Sequence, residues 1–146
     1  MPVTHLLDTS VYSQPISKQP HPEVMKRWQN LGDTALVTSA ICEAEILFGI
    51  RKKGSTKLAT GYETILKGRY DALPVDSAVA AAYAELRADC ESRGAPVADM
   101  DLLIAATAKA NNLIVATLNT NDFHAVQGIT VEDWSKPLTP TNEQAA

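Results

Sequence analysis

The chain has 146 residues, 45% of them apolar, with two cysteines, which suits one compact domain that buries its core without disulfides or a structural metal. Its formal charge of −4 at pH 7 excludes a protein that grips nucleic acid over its whole surface, because neutralising phosphates needs clustered Lys and Arg. Any basic grip must be local. No apolar run approaches the roughly 18 residues of a membrane span, and Met1-Pro2-Val3-Thr4-His5 lacks the basic flank of a secretion signal. The expectation is a cytoplasmic protein that contacts no membrane. Cys42 and Cys90 are expected as buried thiols, since neither has metal-site or Cys-x-x-Cys spacing.

In chain order, residues 3–7 read as a short strand ending at Asp8-Thr9-Ser10, and Pro15, Pro20 and Pro22 mark a loop. A helix follows over 22–31, with Pro in its first turn, apolar Val24, Met25, Trp28 and Leu31, and a stop at Gly32. Residues 35–38 form a second strand. Ser39 caps a helix over 40–53, whose Ile41, Ala44, Leu47 and Phe48 share a face expected to point at the core, with Gly54 ending it. Its end holds the densest basic cluster, Arg51, Lys52 and Lys53, with Lys57, Lys67 and Arg69 beyond. A further helix over 55–68 and a brief strand over 72–75 precede a long alanine-rich helix from the cap Asp76 to 93, stopped by Gly94. The most apolar helix runs over 99–111, the strand 113–117 is rich in β-branched residues, and 129–131 is an edge strand. From Ser135 the composition turns polar, so 1–134 is the domain and 135–146 a disordered tail.

Short strands alternating with helices indicate an α/β fold with a mainly parallel sheet. Ligands of such folds collect where the strands end and the next helices begin. Asp8 ends the first strand, Asp99 and Asp101 open the buried helix, and Asn119 and Asp122 follow the strand 113–117. Glu45 or Glu43 could join them from the helix after Ser39, but two positions on a helix differ by about 200° in direction, and periodicity does not choose between the two. Singly, each Asp has an ordinary role as turn residue, cap or first-turn carboxylate. Together on one edge they would repel, each pair at about 4 Å by on the order of 4 kcal/mol at an effective dielectric near 20. A divalent cation removes that cost. Oxygen-only ligation favours Mg²⁺ or Mn²⁺ over zinc, and such an ion can polarise a phosphodiester and acidify a water.

Three patches resemble the PIN-domain nucleases, and among them the VapC-type toxins of bacterial toxin–antitoxin pairs. They are Leu6-Leu7-Asp8-Thr9-Ser10-Val11; Ser39-Ala40-Ile41-Cys42-Glu43-Ala44-Glu45-Ile46-Leu47-Phe48-Gly49, which looks like the family's Ala-Glu-Leu-x-x-Gly segment; and the stretch from Gly94-Ala95-Pro96 through Asp101-Leu102-Leu103-Ile104-Ala105-Ala106 to Val115-Ala116-Thr117-Leu118-Asn119-Thr120-Asn121-Asp122-Phe123. The resemblance spans residues 3–134 and implies a three-layer fold, a short parallel sheet flanked by helices. It selects Glu45 over Glu43, and it implies that Asp8, Glu45, Asp101 and Asp122 form an acidic quartet holding Mg²⁺, with Mn²⁺ a substitute. Asp8 and Asp101 would be direct ligands. Asp99 would be a fifth acid or the helix cap, and Thr9 or Ser10, Thr117 and Asn119 supporting polar groups. Leu118 stands where the family usually has Arg or Lys, and Ser10 where it usually has Asn. The implied activity is metal-dependent endonucleolytic cleavage of RNA by the toxin of a type II toxin–antitoxin pair. The implied partners are a second copy and a cognate antitoxin whose C-terminal segment would place a basic side chain in the acidic groove.

Two other classes compete. A phosphohydrolase with Asp8 as nucleophile would usually want a second Asp two residues on, where Ser10 stands. A catalytically silent binding module would have no need of all four acids. His5, His21 and His124 have no ligand spacing and read as incidental, and helical spacing assigns Trp28 to the core rather than to base stacking.

Overall fold

The computed structural model describes residues 2–137. Five strands, β1 (His5–Leu7), β2 (Leu36–Ser39), β3 (Ala72–Leu73), β4 (Ile114–Thr117) and β5 (Thr130–Asp133), form one sheet in the order β3-β2-β1-β4-β5. Every pairing is parallel, with Leu6 opposite Val37 on one side and Val115 on the other. The expected α/β class is therefore the observed one.

Alternation along the short strands splits the core in two, because successive side chains leave opposite faces of a sheet. Leu6, Val37 and Val115 join a cluster with Val79, Leu86, Leu102 and Phe123. Leu7, Leu36 and Ala116 join one with Val11, Val24, Trp28, Leu66 and Trp134. The first cluster is built on α5 (Ser77–Ser92) and α6 (Asp99–Ala110), the second on α1 (Thr9–Tyr12) and α2 (Pro22–Leu31). The result is three layers. The helix α3 (Ala40–Lys53) contributes Cys42 to one cluster and Ile46 to the other. No helix among the described residues is long and apolar enough to cross a membrane.

Several boundaries differ from expectation for local reasons. The stretch after Asp8, expected as loop, holds α1 and a short 3-10 turn at Gln14–Ile16, because the Asp8 side chain accepts from the Thr9 N–H and caps the turn. The helix expected over 55–68 is a short α4 (Thr56–Gly61) that widens into a π-helical turn at Tyr62–Leu66, burying Tyr62 and Leu66 together. The cap of α6 is Ala98, not Asp99, which lies in the first turn. The face of α3 is also corrected: Cys42 and Ile46 point inward, while Leu47 and Phe48 are 41% and 65% exposed. The sheet decides this, since it receives the face continuous with the cap Ser39, and the apolar residues on the other side are left outside.

His5 is not incidental. It is buried, its Nε2 lies 2.8 Å from Glu132 Oε1, and its ring packs against Trp134. Arg27 and the Trp134 indole N–H approach the same carboxylate at 3.6 and 3.2 Å. This joins β1, α2 and β5. The expected tail begins with Ser135, whose N–H and hydroxyl donate to Asp133, and Lys136, whose carbonyl accepts from Arg27; residues 138–146 lie outside the described residues.

Candidate active site

The chain adds β2 and β3 on one side of β1, then crosses back to add β4 and β5 on the other. The crevice at the carboxyl ends of β1 and β4 is thus the switch point where open α/β sheets bind ligands. Asp8 follows β1 directly, and Thr117 closes β4. The two are 109 positions apart, yet the buried Thr117 hydroxyl donates to Asp8 Oδ2 at 2.7 Å.

Asp8 is only 6% exposed, and each of its oxygens is engaged. Oδ1 accepts from the Thr9 N–H at 2.7 Å, and Oδ2 also accepts from the Ser10 hydroxyl at 3.1 Å. Ser10 Oγ in turn accepts from the Leu118 N–H, and Thr117 Oγ1 from the Asn119 N–H. Two hydroxyls therefore lock the ends of β1 and β4 to a single carboxylate. Burial pushes the Asp8 pKa up, opposed by the three hydrogen bonds, and Asp122 adds a further upward push.

Thr9 makes the choice that periodicity left open. Its hydroxyl donates to Glu45 Oε1 at 2.6 Å, whereas the Glu43 carboxylate lies against the Tyr62 hydroxyl at 3.4 Å. Glu45 faces the switch point and Glu43 faces the turn that follows α4. Potential ligand atoms of Asp8, Cys42 and Glu45 all lie within 4.8 Å of one another. The proximity of Cys42 has no signal in its sequence spacing. Burial first, then the Asp8 charge, pushes the Cys42 thiol up, so beside Asp8 its proton is held more tightly than on a free thiol.

Asp101 completes the arrangement. Its pKa is pushed up to about 6, first by partial burial and then by the charges of Asp122, Asp8 and Glu45. One carboxylate thus feels the other three. Asp122, exposed, ends a 3-10 turn at Thr120–Asp122 whose N–H returns to the Asn119 carbonyl. Asp99 stands apart from this group: its Oδ1 accepts from the Tyr83 hydroxyl at 2.9 Å and meets Arg87 at 3.4 Å, on the outer side of α5. It is not the cap, which is Ala98, and its contacts with Tyr83 and Arg87 lie away from Asp101, as expected of residues two apart on a helix, which differ by about 200° in direction.

The donor set fits a hard divalent cation. Asp8 and Glu45 offer carboxylate oxygens within 4.8 Å of one another, no His among the described residues joins them, and the charges of Asp122, Asp8 and Glu45 add to burial in raising the Asp101 pKa. The PIN domain profile matches residues 5–129. The chain belongs to the PIN-domain family. This PIN domain is similar to Toxin FitB of Neisseria gonorrhoeae, at 35% identity over 137 residues, covering 88% of this chain and 97% of the relative. It is also similar to the tRNA(fMet)-specific endonuclease VapC of Shigella flexneri, at 31% identity with 89% and 97% covered. Among solved structures, FitAcB from Neisseria gonorrhoeae superposes with a TM-score of 0.81 at 33% identity, covering 90% of this PIN domain and 98% of that chain. DNA-bound VapBC from Salmonella typhimurium gives 0.78 at 28% identity, with the same coverage.

Proposed function

We propose that this PIN domain is a Mg²⁺-dependent endoribonuclease acting in the cytoplasm as the toxin of a toxin–antitoxin pair, with Mn²⁺ able to replace Mg²⁺. The observation that carries the reading is the approach of Asp8 and Glu45 where β1 ends, each oriented by a hydroxyl, Thr117 on Asp8 and Thr9 on Glu45; burial and then the charges of Asp122, Asp8 and Glu45 raise the Asp101 pKa beside them. Relatives named ribonuclease or toxin, matched over nearly their whole length, support the same reading. Neighbouring structures that are toxin–antitoxin complexes support an antitoxin partner, and the family likeness supports a homodimer.

In the proposed mechanism Asp8 and Asp101 are the direct ligands, with Glu45 and Asp122 completing the acidic set. A bound divalent cation would supply positive charge at the phosphoryl oxygen and acidify the attacking water. The chain's own part is orientation. Thr117 and Ser10 fix Oδ2 of Asp8, the Thr9 N–H fixes Oδ1, and the Thr9 hydroxyl fixes Glu45. With both oxygens engaged, Asp8 suits a fixed ligand better than a nucleophile that must reach phosphorus. Asn119, exposed just beyond Thr117, is free to hydrogen-bond substrate or water.

The test is cleavage of a mixed structured RNA pool by the purified protein, first with EDTA and then with Mg²⁺ or Mn²⁺ restored, beside Asp101→Asn. Cleavage confined to wild type with metal is expected. Cleavage that persists in EDTA, or in Asp101→Asn, would overturn the reading.

A further inference from the structure

The four acids are held in two different ways. Asp8 and Glu45 are each oriented by a hydroxyl within the crevice, Thr117 on Asp8 and Thr9 on Glu45. The side chains of Asp101 and Asp122 accept no hydrogen bond among the described residues, so their placement depends on the backbone that carries them. Both of those backbone segments are fastened to α5, a helix that brings no acid to the crevice: its Glu85, Asp89 and Glu91 pair with Lys109, Arg93 and Arg87.

Asp101 lies in the first turn of α6, whose cap Ala98 offers no side chain to the free N–H groups there. Two residues before it, Asp99 supplies an anchor. The Tyr83 hydroxyl donates to Asp99 Oδ1 at 2.9 Å, and the Arg87 guanidinium donates to the Tyr83 oxygen at 2.8 Å. Positions two apart on a helix differ by about 200° in direction, so the contact that turns Asp99 towards α5 leaves Asp101 directed away from it. Asp122 ends the 3-10 turn at Thr120–Asp122, and the chain directly after it meets the same helix. Phe123 and Val126 are buried in the cluster that holds Leu86 and Cys90 of α5. Arg93, which ends α5, is held by Asp89 and donates to the Ala125 carbonyl at 2.6 Å.

We propose that Tyr83 and Arg93 are positioning residues: α5 is a strut that sets Asp101 and Asp122 in place for the divalent cation, the first through Asp99 and the second through the Ala125 carbonyl. The proposal rests on the metal-site reading above and extends it to side chains that make no hydrogen bond to either acid. Polar contacts as exposed as these add little to stability, whereas Mg²⁺ demands a near-ideal arrangement of its oxygens. The effect of losing them belongs in metal affinity, not in the melting temperature.

The experiment measures metal binding apart from cleavage. Calorimetric titration with Mg²⁺ alone, without RNA, compares the wild type with Tyr83→Phe, Arg93→Met and Arg93→Lys, and melting temperatures in EDTA are read beside it. Tyr83→Phe and Arg93→Met should each weaken Mg²⁺ binding about threefold or more, with melting temperatures within about 3 °C of wild type. Arg93→Lys keeps a donor for the Ala125 carbonyl and should keep most of the affinity. Lys109→Gln removes the pair with Glu85 near the far end of α6, so it controls for a general loosening of the two helices and should leave Mg²⁺ affinity unchanged. Unchanged affinity in Tyr83→Phe or Arg93→Met overturns the proposal. So does an equal loss in Lys109→Gln, or a loss accompanied by a fall in melting temperature, since either would make the contacts merely structural. Asp101→Asn scores the metal reading separately: where the wild type binds Mg²⁺ and Asp101→Asn does not, the strut can fail while the metal site stands, and a wild type that binds no Mg²⁺ overturns both.

Discussion

Thr117 offers only a hydroxyl, yet it orients the acid on which the site is built. Thr117→Val keeps the shape and removes the 2.7 Å bond to Asp8; with Asp8 the proposed metal ligand, the expected loss of activity is about 10- to 100-fold. Asp8→Asn and Asp101→Asn should lose more than that while remaining folded, and steady-state cleavage with melting curves checks both. Glu45→Gln should be severe and Glu43→Gln mild, since Glu43 serves the Tyr62 hydroxyl instead. Asp8 was legible as an acid at a strand end, whereas the part of Thr117 was named only through the family resemblance, since a hydroxyl at a strand end has no signal of its own. Glu45 was not separable from Glu43 by periodicity, because the residue that separates them, Thr9, belongs to another element.

Asp101 also gives a pH dependence. Its pKa rises from 3.8 to about 6 on folding, so the folded state holds this proton more tightly than the unfolded chain does. Stability of the metal-free protein should therefore fall as pH rises from about 4 to about 6 through this group, then level off. The proposed Mg²⁺ would oppose the same repulsion, so its stabilising effect should grow over that window and be largest above it. Melting temperatures with EDTA and with Mg²⁺ across this range test both signs. A metal effect that is largest at the acid end would remove the proton–metal competition.

At the scale of elements, caps were more legible than faces. Ser39 and Asp76 hold the first turns of α3 and α5 through Cys42 N–H at 3.1 Å and Val79 N–H at 3.0 Å, and both are visible as polar residues before apolar runs. Asp76→Ala should cost about 1 kcal/mol of stability by chemical denaturation. The face of α3 was not legible, because apolar residues run round it and only the sheet chooses Cys42 and Ile46 over Leu47 and Phe48. Ile46→Ala should accordingly cost about 2–5 kcal/mol. The widening of α4 at Tyr62–Leu66 was hidden for a similar reason: tertiary burial of Tyr62 and Leu66, not local propensity, sets that turn.

For the whole molecule, strand–helix alternation was sufficient to read the class and the edge where Asp8 and Thr117 meet, but not the interaction that joins β1, α2 and β5. His5, Arg27, Glu132 and Trp134 are brought together from distant parts of the chain, and no spacing rule links them. The His5 hydrogen bond, partly offset by burial, pulls the Glu132 carboxyl below its ordinary value. Trp134 is fully buried, and Trp134→Ala should cost about 3–5 kcal/mol, measured by equilibrium unfolding.

The central place of β1 also governs when the site can exist. Asp8 is made well before its partner Thr117, which is 109 positions later, and Asp122 comes later still. Both neighbours of β1 are parallel to it, and pairings of such long separation form late, after their loops have closed. A growing chain thus carries Asp8, Thr9 and Glu45 without the groups that complete them. Assembly is itself a delay: the acids cannot act together in any chain that stops short of Thr117 and Asp122.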